Sequence, residues 1–167
     1  RHLVHQIRET IPEASLSTDI IVGFPGETTE EFKGSLDLIS EIRFDKIHCA
    51  AYSSRPGTTA HRAMADDVPQ EEKTSRRERI DSMQEGILRE TNARLVGQRL
   101  EVLVEGRRKG KWHGRTRSNK LVFFEDGSTD KQSGNLVNIT ITQASPWSLQ
   151  GVPVPSLPRN QAVTSVV

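Results

Sequence analysis

The stretch TDIIVGFPGET, residues 18–28, decides how the first half of this chain folds. Ile20, Ile21 and Val22 form a β-branched run of the kind that fits a strand buried on both faces. Gly23, Phe24, Pro25 and Gly26 cannot continue that strand. Two glycines and a proline impose a tight turn and leave backbone bare enough for a ligand to approach. Thr28, with Glu31 three positions on, reads as a capping box, so a helix begins there. The order is strand, glycine-rich turn, helix, and ligands of α/β sheets and barrels gather at that end of a strand. The turn lacks the Gly-Lys-Ser/Thr of a phosphate-binding loop and the three spaced glycines of a dinucleotide fold. What remains is a ligand that touches backbone and an apolar wall, as an adenine ring would against Ile21 and Gly23. A buried strand with a well-made turn accounts for the same residues, and Glu27 serves equally as a helix N-terminal charge.

Working outward, Leu3 and Ile7 stand at helical spacing in residues 2–10, and Ile11-Pro12 stops that helix. Phe32, Leu36, Ile39 and Ile42 recur over residues 29–43 as the apolar face of a helix against a sheet. Residues 46–52 (KIHCAAY) read as a second buried strand, closed by the turn SSRPGT at 53–58. Strand, helix and strand at this spacing make a parallel, right-handed βαβ unit, the closing part of an α/β barrel or sheet. Arg55 either braces its turn or faces the open end of that barrel. Residues 60–68 connect. Pro69, Glu71 and Glu72 open a long helix to about residue 93. Its apolar stripe (Ile80, Met83, Ile87, Leu88) is narrow, and Arg76, Arg77, Arg79 and Arg89 are mixed with acids, as in a solvated helix lying on the first domain and leading to the second.

From Gln98 the period falls to two: Leu100, Val102 and Val104, then residues 114–117, 120–124, Val137 with Ile139 and Ile141, and a short run at 147–151, punctuated by Gly106, Gly110, Gly127 and Gly134. Four or five short antiparallel strands make a small OB-like barrel. The expected fold class is therefore α/β followed by all-β. The expected domains are residues 1–67, a connecting helix at 68–95, a barrel at 96–152 and a disordered tail at 153–167, where Pro153, Pro155 and Pro158 sit among small and polar residues.

Within residues 107–120 fall Arg107, Arg108, Lys109, Lys111, Arg115, Arg117 and Lys120, with Trp112, His113 and Asn119 among them and no acid from 106 to 124. The chain as a whole carries net charge +1, so nucleic acid would be drawn by this patch and not by a global field. Lys111, Trp112, Arg115, Arg117, Asn119 and Lys120 are the candidate RNA contacts: cations for phosphates, Trp112 for stacking on an unpaired base, and Arg115 and Arg117 on one strand face. A solvated hairpin would show the same run. Cys49 is the sole cysteine, which excludes internal disulfides and multi-cysteine metal sites within these 167 residues. His2, His5, His48, His61 and His113 have no metal-ligand spacing, and His48 reads as a core or rim residue. No apolar run approaches the ~20 residues that span a bilayer and no signal peptide is visible, so the expected location is the cytoplasm. A start at Arg1 reads as a piece of a longer protein.

DIIVGFPGETTEEF, FDKIHCAAYSSRPGTTA and VPQEEK with the long helix resemble the C-terminal half of radical-SAM methylthiotransferases, and the part after Gly97 resembles the RNA-binding TRAM domain that follows it. GRTRSNKLVFFE and ASPWSLQG are most similar to the tRNA-modifying branch, which adds a methylthio group at C2 of N6-isopentenyladenosine at tRNA position 37. The branch acting on threonylcarbamoyladenosine stays open, as does a non-enzymatic RNA-binding module. The resemblance implies the last βα units of a partial TIM-like barrel, S-adenosyl-L-methionine (SAM) as cofactor, and two 4Fe-4S clusters whose cysteines lie upstream. A fragment without them should be inactive alone, with no catalytic residue and no metal ligand. It also implies that Ile21 and Gly23 contact the adenine and that Ala51 and Tyr52 lie at its edge. Asp19 stands where the family has a glycine, and Glu27 falls one place late. The implied partner is the tRNA anticodon stem-loop, bound by a monomer with no membrane attachment.

Overall fold

The computed structural model describes residues 1–125 and 133–154. The chain divides into two compact units, Arg1–Thr91 and a second beginning at Asn92.

The first unit runs α1 (His2–Thr10), β1 (Ser17–Val22), α2 (Thr29–Ile42), β2 (Lys46–Ala51), α3 (Thr59–Ala63) and α4 (Gln70–Ala93), whose final residues enter the second unit. β1 and β2 pair in parallel, from Ser17 beside Lys46 to Val22 beside Ala51. α2 starts where the capping box requires: Thr28 accepts from the Glu31 amide, and Glu31 accepts from the Thr28 amide. It ends at Arg43, whose left-handed φ of 54° closes the last turn. Phe32, Leu36, Ile39 and Ile42 are buried, as their spacing required, and form one core with Val22, Phe44, Ile47, Ile80 and Ile87.

One expectation needs correction here. β1 and β2 are buried on one face only: Val22 and Ile47 face the helices, whereas Ile21, 57 % exposed, lies on the opposite face. β-branched residues favour extended backbone whether or not both faces are covered, so composition could not tell the two cases apart. The connector contains a short helix, α3, whose N-cap Thr58 accepts from the His61 amide. α4 lies on the first unit through Ile80 and Ile87, as its stripe predicts, and buries the polar Lys73, Arg76 and Gln84 as well; Gln84 donates to the Phe44 carbonyl at 3.1 Å.

The second unit is a closed barrel of β3 (Arg99–Arg108), β4 (Lys111–Thr116), β5 (Leu121–Phe124), β6 (Leu136–Ala144) and β7 (Leu149–Pro153), ordered β3-β4-β5-β7-β6 and closed by β6 on β3. Val102, Val104, Val122, Phe124, Ile139, Ile141 and Leu149 fill it. The strands are not all antiparallel: β5 and β7 pair in parallel. A closed ring with an odd number of strands cannot alternate direction everywhere, so one seam must be parallel. Gly114 and Gly151 sit where strands approach closely; a Cβ there would lie 2.1 Å from the Leu103 carbonyl oxygen and 2.4 Å from that of Thr140. Pro153 ends β7 and the Val154 amide donates to Asn138 at 2.9 Å, so regular structure continues past the expected start of the tail. The rest of that expected tail, and Gly127, lie outside the described residues.

Candidate nucleic-acid interface and ligand wall

The glycine turn of the first unit is held by α4. Gly23, at φ 68°, donates its amide to the Glu27 carboxylate. Arg76 donates to that carboxylate at 2.7 Å, to the Glu27 carbonyl at 3.1 Å and to Glu72 at 2.7 Å. Burial acts to lower the Arg76 pKa, but the hydrogen bonds and charges of Glu72 and Glu27 outweigh it and hold the guanidinium above its ordinary value. Lys73 runs across Gly23, where a Cβ would lie 2.3 Å from its Cγ, and its ammonium pairs with Asp66 5.3 Å from the centre of the Tyr52 ring. Tyr52 meets Phe24 edge to face, and the Gly26 amide donates to Asp67 at 2.8 Å. The space left by the absent Gly23 side chain is thus filled by Lys73, and its amide is taken by Glu27. Bare backbone for a ligand is not what this glycine provides.

The candidate cofactor residues therefore separate. Ile21 stands on the exposed sheet face beside Ala50, with Asp19 and His48 as the next exposed pair along it. Ala51 packs against the helix-side core, and the Tyr52 amide is already donated to Val22 at 2.8 Å. Cys49 also packs on that core. Burial, helped by the charge of Asp81, pushes its thiol from 9.0 up to about 11.

On the barrel, strand alternation turns Glu101, Leu103 and Glu105 outward on β3, Lys111, His113 and Arg115 on β4, and Leu121 and Phe123 on β5. The linear basic run is consequently less free than its sequence suggests. Antiparallel pairing sets β3 beside β4, so Glu105 meets Arg115 at 3.4 Å and Glu101 meets Arg117 at 2.6 Å; Glu125 reaches Lys111 at 3.0 Å. Trp112 points the other way. It packs on the barrel core with a buried ring nitrogen, and Arg107 covers its face at 5.1 Å. Asn119, at φ 60°, forms a turn: its amide donates to Thr116 and its carbonyl accepts from Arg115 at 3.1 Å. The Lys120 amide donates to the Thr116 hydroxyl in the same turn.

The structure gathers a different set. The β3–β4 hairpin turns at Lys109 and Gly110, both at positive φ, and projects Arg108, Lys109 and Lys111 around a pocket of about 310 Å³ that includes Phe123. The Phe123 ring lies beside that of His113, centroids 6.1 Å apart. Of the expected RNA contacts, Lys111 belongs to this pocket, while Arg115, Arg117, Asn119 and Lys120 cluster at the β4–β5 turn. Phe123 was missed, although the alternation in LVFF, with Val122 and Phe124 inward, carries the signal.

The match to known proteins runs through both units. Residues 93–154 match the TRAM domain. The barrel is a TRAM domain. Over 155 residues the chain is 54 % identical to the tRNA-2-methylthio-N(6)-dimethylallyladenosine synthase of Roseiflexus sp. strain RS-1, covering 91 % of this chain and 32 % of that protein. It is 53 % identical over 154 residues to the like-named protein of Chloroflexus aurantiacus (90 % and 33 %). With that of Dehalococcoides mccartyi strain 195 it shares 51 % over 150 residues (90 % and 35 %). The chain corresponds to the C-terminal part of these synthases and spans about a third of their length. The hairpin pocket lies wholly within the TRAM domain. Among the described residues no helix is long and apolar enough to cross a membrane.

Proposed function

We propose that this chain is the C-terminal part of a radical-SAM tRNA methylthiotransferase that acts at C2 of N6-dimethylallyladenosine in the anticodon stem-loop. It would work as a monomer in the cytoplasm, with the first unit supplying one wall of the SAM site and the TRAM barrel holding the tRNA. The observation that carries this is one continuous similarity to such synthases across both a βαβ unit and a basic barrel. In a closed α/β barrel the sheet face opposite the helices is the interior, and ligands sit at the C-terminal ends of the strands. Exposed Ile21, at that end of β1, fits an apolar adenine wall. SAM, when bound, supplies the radical initiator and the methyl group. This chain's share is to exclude water with Ile21 and to keep the turn in place through Arg76 and Glu27. Iron–sulfur clusters are held by cysteine thiolates. Cys49, its thiol raised and packed on the core, does not fit that role.

The test is nucleoside mass spectrometry of tRNA from cells lacking the full-length protein. The expected result is loss of the 2-methylthio adduct with accumulation of dimethylallyladenosine. An unchanged adduct would overturn the activity, and loss of the 2-methylthio group from threonylcarbamoyladenosine instead, with that parent nucleoside accumulating, would move the chain to the other branch.

A further inference from the structure

The pocket on the TRAM barrel is neither a flat basic patch nor a site used by the account above. Phe123 is half-buried on the outer face of β5, directly across from His113 on β4, and beside Gln150 on β7. Such a ring, flanked by polar neighbours, has one side left for a planar partner. Arg108, Lys109 and Lys111 surround it, and the volume of about 310 Å³ lies at the lower end of what small-molecule pockets offer, room for one planar heterocycle and the phosphate attached to it. A duplex presents phosphates to such a surface but keeps its bases in the stack, whereas an unpaired base can be splayed onto an aromatic ring.

We propose that this pocket receives a single unpaired nucleobase of the bound RNA, stacked on Phe123, with the adjoining phosphate between the hairpin cations. The proposal rests on the tRNA-binding role given above. Glu125 already neutralises Lys111 at 3.0 Å, so the phosphate displaces a carboxylate there, and Lys109 and Arg108 meet it first. The base is read by its face, so the pocket selects for unpairing and not for sequence.

The test measures binding of this chain to a short RNA stem-loop and to a fully paired RNA of the same length, with Phe123→Leu and with the double variant Arg108→Ala/Lys111→Ala. Phe123→Leu should bind the stem-loop about tenfold more weakly and the duplex unchanged. The double variant should weaken both. On the unaltered chain, removing the base at successive loop positions should reproduce the tenfold loss at one position, and there Phe123→Leu should add nothing. The abasic series needs no protein variant, so it decides even where Phe123→Leu unsettles the barrel. If Phe123→Leu spares the stem-loop or weakens both RNAs alike, or if no abasic position matters, while the double variant still weakens both, the face holds phosphate only and the base pocket is wrong. If the double variant also leaves both RNAs unaffected, RNA binding by this face falls with it.

Discussion

Arg76 shows how much a single side chain can hold. It is 5 % exposed and touches Glu72 one helical turn away and Glu27, 49 positions away. Removing that charge leaves Glu27, whose side chain is only 14 % exposed, uncompensated, which costs about 3–5 kcal/mol. Arg76→Met should lower the stability of the first unit by that amount, seen as a reduced urea midpoint at unchanged slope. The pair with Glu72 follows from spacing, but the pair with Glu27 does not, because nothing local sets α4 against the glycine turn. Cys49 offers a second check. With its thiol near 11 in place of 9.0, thiolate is scarce at neutral pH. Alkylation by iodoacetamide should keep accelerating above pH 9 in the native chain and level off near pH 9 in urea. A native profile levelling near pH 9 would show the thiol to be solvated.

Among the elements, α2 was the most legible, since cap, acidic first turn and apolar spacing all agree, and its buried residues are those the period named. Thr28→Ala should cost about 1 kcal/mol, measured by chemical unfolding. The Glu31 carboxyl lies below the usual carboxylate range because it accepts from the Thr28 amide and then from its hydroxyl. Its contribution is therefore present above the ordinary carboxylate pKa and lost as pH falls through the lowered one. Thr28→Ala should shrink that acid-dependent part. At β4, alternation puts Arg115 and Arg117 on one face, but that this face is the outer one and that Trp112 packs on the core is decided by the barrel, because alternation fixes relative and not absolute orientation. The β3 carboxylates were overlooked as partners for the same reason: register across strands is a tertiary fact. Releasing them by Glu101→Gln/Glu105→Gln should tighten RNA binding, by up to about fivefold for each exposed pair, in equilibrium titrations at low salt.

For the whole molecule, charge is nearly balanced at net +1, so RNA affinity should depend on a few local cations. If Arg108, Lys109 and Lys111 each neutralise one phosphate, log K should fall against log salt with a slope of about −2 to −3, and alanine at all three should bring it close to zero. A slope unchanged by the triple variant would move the electrostatic contact elsewhere. The α/β-then-β order, the parallel βαβ pair, the barrel and the capped helix were all determined by the sequence itself, because each rests on short-range periodicity, turn chemistry and capping between near neighbours. Tertiary structure alone decided the rest. It put Lys73 over Gly23, bared Ile21 while packing Ala51 on the helix-side core, turned Trp112 inward and Phe123 outward, and laid β3 acids against Arg115 and Arg117. Those outcomes depend on which faces and strands meet across long stretches of chain. The glycine turn marks the difference well: its shape is written in two glycines and a proline, but what fills the space beside Gly23 was decided by a lysine on α4, 50 residues further along.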